Sequence, residues 1–418
     1  MSLEFVAKLK SVAVRQQTLI IQMNEKKNKI LFFAVILCLY SFSNSPLYPE
    51  QKAPFKNIRK GVWITVFSEN KVLYSKESVK ILIEFCNATN IKEIYLQLYR
   101  NGEPYFDSTI GSRARYEEII NSAGIDTIDF LLNEAKKNGI QVFAWINVLS
   151  AGTNKESDIV KKYGESVLTK DQYLRTSIKS DKKDESDKYY LREDQIFLEP
   201  GDLRVLDYVL SIVNSLITRY PGLSGIHLDY IRYPNPLPYI PDSRFNKYGL
   251  SYGYGDESLK RFKARTGLDP LNMETNRDNC LIWDNWKREQ VTNLVNKICD
   301  LVKSKSSKYL ISCAVLPSFD RAYSFIFQDW PLWLEKKYAD YVVLMNYTVD
   351  NKYGLNIAKS SLPQRGQGKI YIGIGAFLLK YNAKLFLEQY ESLCRLKPDG
   401  IVFFSYDDIK DKSLNQYL

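Results

Sequence analysis

The chain has 418 residues, 45% of them apolar and 13% aromatic. That composition gives a globular protein with a core large enough for one big domain or two ordinary ones, not a disordered or fibrous chain. The net charge of +10 is spread along the chain, and outside residues 179–188, where Lys and Asp alternate, no basic stripe of the kind that grips phosphates occurs, so nucleic acid is not an expected partner. A single histidine, His227, excludes multi-histidine metal sites, and no metal or other cofactor is expected.

Residues 24–29 form a short segment rich in lysine, followed by an apolar run over 30–43. At about 14 residues this run is shorter than the ~20 needed to span a bilayer and fits the apolar region of a secretory signal. Because such signals begin near the N-terminus, Met23 is the expected start, with cleavage after Ser43 or Ser45. An uncleaved anchor is the alternative, and it would be the chain's only link to a membrane. Cys38 follows Val-Ile-Leu, which lacks the small residue that lipidation requires. Residues 1–50 are thus expected to be an N-terminal extension with a signal or anchor segment, and the product is expected to be exported.

From residue 60 onward, apolar runs rich in β-branched residues alternate with amphipathic stretches. Strands are expected over 61–67, 93–99, 141–147, 225–231, 309–315, 341–347, 369–375 and 400–406. Helices are expected over 76–88, 125–138, 202–219, 283–303, 330–337 and 383–393. Apolar strands alternating with helices imply a parallel sheet covered on its outside, and eight repeats imply an α/β fold of the closed (β/α)8 TIM-barrel type over residues 51–418. Two connections are long, those after the third and fourth strands. The latter is rich in Pro, Tyr and Gly, and loops on that side of a barrel stand over the active-site mouth.

The fourth strand, Gly225-Ile-His-Leu-Asp-Tyr-Ile-Arg-Tyr-Pro234, carries His227 and Asp229 on one face by alternation, and Pro234 cannot continue a ladder. A carboxylate at the end of an apolar strand has a large desolvation cost, so it either pairs, with Arg232 or His227, or faces a wet cavity. Strand ends converge at a barrel mouth, and they gather Gln97, Tyr99, Arg100, Trp145, Asn147, His227, Arg232, Asn346 and Tyr347, together with Thr65 and Tyr406. Amides, Arg and aromatic faces are the chemistry of sugar recognition. Glycoside hydrolysis needs two carboxyl groups, one to attack or activate water and one to protonate the leaving group. Asp229 is the natural first. Asp407 and Glu103 are the second candidates nearest the mouth, ahead of Glu69, Asp320, Asp329, Asp350 and Asp408.

The chain resembles the glycosyl hydrolase-like family 10 of bacterial barrel proteins. The matching stretches are Gly61-Val-Trp, Gln97-Leu-Tyr-Arg, Ala144-Trp-Ile-Asn, Glu199-Pro-Gly, the fourth-strand segment, Trp286-Lys-Arg-Glu-Gln, and Ala339-Asp-Tyr-Val-Val-Leu-Met-Asn-Tyr-Thr348. The resemblance implies an exported glycosidase linked to bacterial envelope glycans. More distantly the chain resembles retaining glycosidase barrels whose nucleophile is an Asp ending the fourth strand, two residues after a basic one. Those relatives carry the acid/base at the end of the fifth or sixth strand, where this chain has Leu316-Pro-Ser and Asn346-Tyr-Thr. The expected function is hydrolysis of a bacterial envelope polysaccharide such as peptidoglycan glycan strands. The alternative is a barrel that binds glycan without cleaving it.

Overall fold

The computed structural model describes residues 58–176, 178, 195–236, 250–411 and 414–418. The expected signal or anchor, the tract 179–188 and residues 237–249 of the loop after the fourth strand lie outside the described residues. By its internal contacts the chain divides between Lys56 and Asn57, and every described residue belongs to the second unit.

That unit is a closed barrel of eight parallel strands: β1 Arg59–Ile64, β2 Glu93–Arg100, β3 Gln141–Asn147, β4 Gly225–Asp229, β5 Leu310–Val315, β6 Tyr341–Met345, β7 Lys369–Gly375 and β8 Gly400–Phe404. Each strand pairs with the next in sequence, and β1 closes the ring by pairing with both β2 and β8. Helices follow the strands on the outside. Several are started by residues suited to satisfying the free amides of a first turn. Ser75 caps the helix Lys76–Ala88, Asp126 caps Thr127–Lys137 and Asp202 caps Leu203–Arg219. The long helix Arg277–Lys305 begins six residues before its expected start, because Asn276 caps a polar first turn that has no buried face to signal it; burial starts only at Trp283.

Four strands stop short of their apolar pattern. β1, β4, β6 and β8 end at Ile64, Asp229, Met345 and Phe404, two or three residues earlier than alternation predicts. At β4 the cause is local. Tyr230 takes a left-handed backbone with φ 51°, which no strand can continue, so the chain turns there and not at Pro234.

The inside of the barrel is aromatic, with Trp63, Tyr95, Phe143, Trp145, Tyr341 and Tyr371 in one cluster. Rings of this size fit because neighbouring strands supply glycine: a Cβ on Gly400 would stand 2.6 Å from the Tyr371 ring, and one on Gly61 2.8 Å from the Tyr95 ring. At the N-terminal end Glu93 is buried, and burial pushes its carboxyl above the usual range. It accepts hydrogen bonds from Tyr95 Oη (2.6 Å) and Tyr371 Oη (3.2 Å) and pairs with Arg59. This network closes the bottom of the barrel, which leaves the opposite end for chemistry.

Candidate active site

Along β4, Ile226 and Leu228 face the helices, while His227 and Asp229 face the barrel axis. The two inward residues sit at different depths and have different roles. His227 is completely buried; Trp63 Nε1 donates to its Nε2 at 3.1 Å, and its Nδ1 lies 2.8 Å from Ser312 Oγ. An indole nitrogen only donates, so Nε2 carries no proton and the imidazole is the neutral Nδ1–H tautomer, donating to Ser312. Burial pushes its pKa down to about 3. His227 is therefore not a partner for the Asp229 charge. It pins the Trp63 indole beneath the mouth.

Asp229 is one step higher. Trp145 Nε1 donates to its Oδ2 at 3.1 Å, and the amide of Tyr230 donates to its Oδ1 at 2.8 Å. The left-handed turn at Tyr230 aims that amide back at the carboxylate. The backbone carbonyl of Asp229 accepts from Val148 N at 2.8 Å, which ties this turn to the end of β3. Asp229 is 8% exposed, desolvated yet open to a cavity of about 220 Å3 at the C-terminal end of the barrel. Six aromatic residues line this cavity, Trp63, Phe67, Trp145, Tyr230, Tyr347 and Phe404; Tyr347 and Phe404 stack at 5.8 Å, and Trp145 meets Phe404 edge-on at 6.3 Å. Burial, with the Asp229 charge nearby, pushes the Tyr347 phenol well above its usual pKa, so it stays protonated as a hydrogen-bond donor. At the rim the Arg100 guanidinium lies 4.3 Å from the centre of the Phe67 ring, which is 58% exposed. Such a platform presents both an apolar face and cationic donors to a ligand.

The cavity gathers seven of the expected residues: Gln97, Arg100, Trp145, Asn147, Asp229, Arg232 and Tyr347. Gln97 Nε2 donates to Asn147 Oδ1 at 3.2 Å, which fixes both amides. Other expected residues are placed elsewhere. Tyr99 points outward to Tyr208 Oη at 3.4 Å, because an irregularity in the β2–β3 ladder after Gln97 reverses the alternation. Asn346 lies past the end of β6 and donates to Gly354 O at 3.1 Å. Tyr406 packs on Phe85 of an outer helix at 5.1 Å, and Thr65 is buried away from the cavity.

Neither expected acid reaches the cavity. Glu103 lies on a two-residue strand beside the end of β2 and pairs with Arg115 at 3.2 Å. Asp407 holds the loop after β1, accepting from Ser68 Oγ (2.5 Å), Asn70 Nδ2 (2.8 Å) and Glu69 N (3.1 Å). Asp329, Asp350 and Asp408 each accept from a helix N-terminus. Among the described residues that line the cavity, Asp229 is the only carboxylate.

Trp63, Phe67, Tyr230, Met345, Ala314 and Phe404 also line the cavity, and collecting polar strand ends missed them. Alternation along β8 would have turned Phe404 inward had the strand been ended there. Behind the mouth, Glu199 is fully buried and pushed up by burial. It accepts from Tyr233 Oη (2.8 Å), Gly201 N (3.0 Å) and Gly255 N (3.3 Å), joining the loops after β3 and β4.

The fold and site together make a closed (β/α)8 barrel with an oriented carboxylate in an aromatic mouth. The description "Glycosyl hydrolase-like 10" matches residues 57–361, and the chain belongs to that family. Among curated proteins it is similar to glycosyl hydrolase DigH of Escherichia coli strain K12, 22% identical over 329 residues, and to the protein of the same name from strain CFT073, 22% identical over 331. The match covers 71% of this chain and 64% of each relative, so the chain spans less than two thirds of their length. Among solved structures, the catalytic domain of β-amylase from Paenibacillus polymyxa superposes with a TM-score of 0.53 at 10% identity, covering 87% of this chain and 98% of that one. A β-galactosidase from Bacillus circulans sp. alkalophilus superposes with a TM-score of 0.55 at 13% identity, covering 84% and 50%. At these identities the likeness is one of fold. Family and fold together support a glycoside-hydrolase-like function.

Proposed function

We propose that this chain is a glycoside hydrolase acting on a bacterial envelope polysaccharide, with peptidoglycan glycan strands as the substrate, and that Asp229 is its nucleophile or base. The observation that carries this reading is the Asp229 carboxylate held by Trp145 Nε1 and the Tyr230 amide inside aromatic walls. A carboxylate fixed in this way meets a sugar ring in a set orientation, and the rings take the ring's apolar face. Gln97, Asn147, Arg100 and Arg232 supply hydroxyl-binding groups, and the protonated Tyr347 phenol supplies a donor. Export follows from the lysine-rich and apolar run over residues 24–43. The test is release of reducing ends from purified glycan strands, peptide-bearing and peptide-stripped, by the full chain.

A second reading, a barrel that binds glycan without cleaving it, is favoured by one observation. Glu103 and Asp407 are committed to Arg115 and to the Ser68–Asn70 loop, away from the cavity. Binding of intact strands with no reducing ends released would select it.

A further inference from the structure

Glu93 lies at the N-terminal end of the barrel, and Trp63 stands in the wall of the cavity at the opposite end. We infer that Glu93, Tyr95, Tyr341 and Ser312 are positioning residues for that cavity: with His227 they form one line of hydrogen bonds that holds the Trp63 indole in its wall. For its effect on turnover the inference rests on the glycosidase reading, and it extends the residues that shape the site to the far end of the barrel.

The line is built by strand register. His227, Ser312 and Tyr341 are partners across β4, β5 and β6, and Trp63 is the partner of Tyr95 across β1 and β2. Their side chains meet inside the barrel, where the Tyr95 ring lies 4.6 Å from the His227 ring and 5.7 Å from the Trp63 ring. Trp63 Nε1 donates to His227 Nε2 at 3.1 Å, and His227 Nδ1 lies 2.8 Å from Ser312 Oγ. Ser312 hydrogen-bonds the Tyr341 phenol, whose oxygen lies 3.1 Å from that of Tyr95, and Tyr95 Oη donates to Glu93 Oε2 at 2.6 Å. None of these six residues is more than 3% exposed, so each depends on the next for its partner.

The two ends set the direction of every bond between them. An indole nitrogen only donates and a carboxylate only accepts. Arg59 and Tyr371 also donate to Glu93, which keeps it an acceptor. The imidazole and each hydroxyl have one hydrogen to give, so the donations run in sequence from Trp63 through His227, Ser312, Tyr341 and Tyr95 to Glu93. A break reverses the part above it. If Ser312 loses the phenol oxygen that takes its hydrogen, its hydroxyl turns toward His227 Nδ1. The imidazole proton then moves to Nε2, where it faces the Trp63 N–H. Two donors make no bond, and the indole leaves its place. Trp63 meets Phe404 edge-on at 6.0 Å and Tyr347 at 6.5 Å, so its displacement disturbs two further walls of the cavity.

His227 is the only histidine in the chain and therefore an unambiguous reporter. The test labels the full chain, free of any histidine tag, with 15N-labelled histidine and reads the two ring nitrogens by NMR at neutral pH. The expected result for the parent is a proton on Nδ1 and none on Nε2. Tyr341→Phe and Tyr95→Phe cut the line at successive steps. Each should move the proton to Nε2 and lower turnover on peptide-stripped glycan strands by roughly tenfold; should one fail to fold, the other decides. Tyr371→Phe removes a buried phenol that donates to Glu93 from outside the line, and it should change neither. A proton on Nε2 in the parent, an unchanged imidazole in a folded cut variant, or the same change in Tyr371→Phe overturns the inference. If turnover falls while the imidazole is unchanged, the glycosidase reading stands and the line falls. If the imidazole responds as expected but the parent releases no reducing ends, the line to Trp63 stands and the glycosidase reading falls.

Discussion

Trp145 Nε1 and Asp229 Oδ2 face each other across 3.1 Å, one from the end of β3 and one from the end of β4. These residues lie on neighbouring strands, Asp229 opposite Asn147 and Trp145 opposite His227, so the indole reaches up one pair to meet the carboxylate. The relationship makes an aromatic wall of the cavity into the orienting group of its carboxylate.

Replacing Trp145 by Phe keeps most of the wall and removes the donor. Without it the carboxylate loses the contact that fixes its Oδ2, while the Tyr230 amide still holds Oδ1. Misplacing a reacting group by about an ångström costs on the order of a hundredfold. Turnover on glycan strands should therefore fall by roughly 10–100-fold with a small change in melting temperature. Unchanged turnover in steady-state assays would mean that the contact does no catalytic positioning.

The single histidine makes a pH prediction. In the unfolded chain His227 takes up a proton near its ordinary value of about 6.5. In the folded chain burial holds it down to about 3. Between those values unfolding takes up a proton, so the contribution is complete above about pH 6.5 and is lost as pH falls toward 3. The slope is about 1.4 kcal/mol per pH unit. Urea melts of the parent and of His227→Gln between pH 6.5 and 4.5 should differ in slope by this amount; parallel slopes would contradict the burial of a neutral ring.

Glu199 accepts hydrogen bonds at both carboxylate oxygens, including those from the Gly201 and Gly255 amides and the Tyr233 hydroxyl. Glu199→Gln is nearly isosteric but turns an amide donor toward these donors. It should cost about 1–3 kcal/mol in chemical denaturation. A neutral outcome would show that the loops after β3 and β4 do not depend on this carboxylate.

The parts of the site that could be read from sequence are those for which strand parity holds to the end. Gln97, Trp145, Asn147 and Asp229 follow it and converge at the cavity. Tyr99 fails because the β2–β3 ladder shifts after Gln97, and no side-chain pattern announces a shift of that kind. Asn346 and Tyr406 fail because β6 and β8 end early. The aromatic walls Trp63 and Phe404 read as ordinary core residues, since a ring facing a packed interior and a ring facing a cavity have the same sequence signature. Asp407 stands at a strand end near the mouth, yet its partners come from the loop after β1, more than 330 residues away in sequence.

That placement predicts a structural role for Asp407. Asp407→Ala releases Ser68, Glu69 and Asn70, and it should lower stability by about 1–3 kcal/mol. The acid limb of the pH–activity profile should not move. Loss of that limb with unchanged stability would restore Asp407 as the proton donor.

The most direct test of the account is release of reducing ends from peptide-stripped glycan strands by the parent chain and by Asp229→Asn. The substitution keeps the size of the side chain and removes its charge. The account predicts clear release by the parent and a loss of several orders of magnitude in the variant, which still folds and still binds the strands. Equal release by parent and variant, or none by either while the strands remain bound intact, would contradict it.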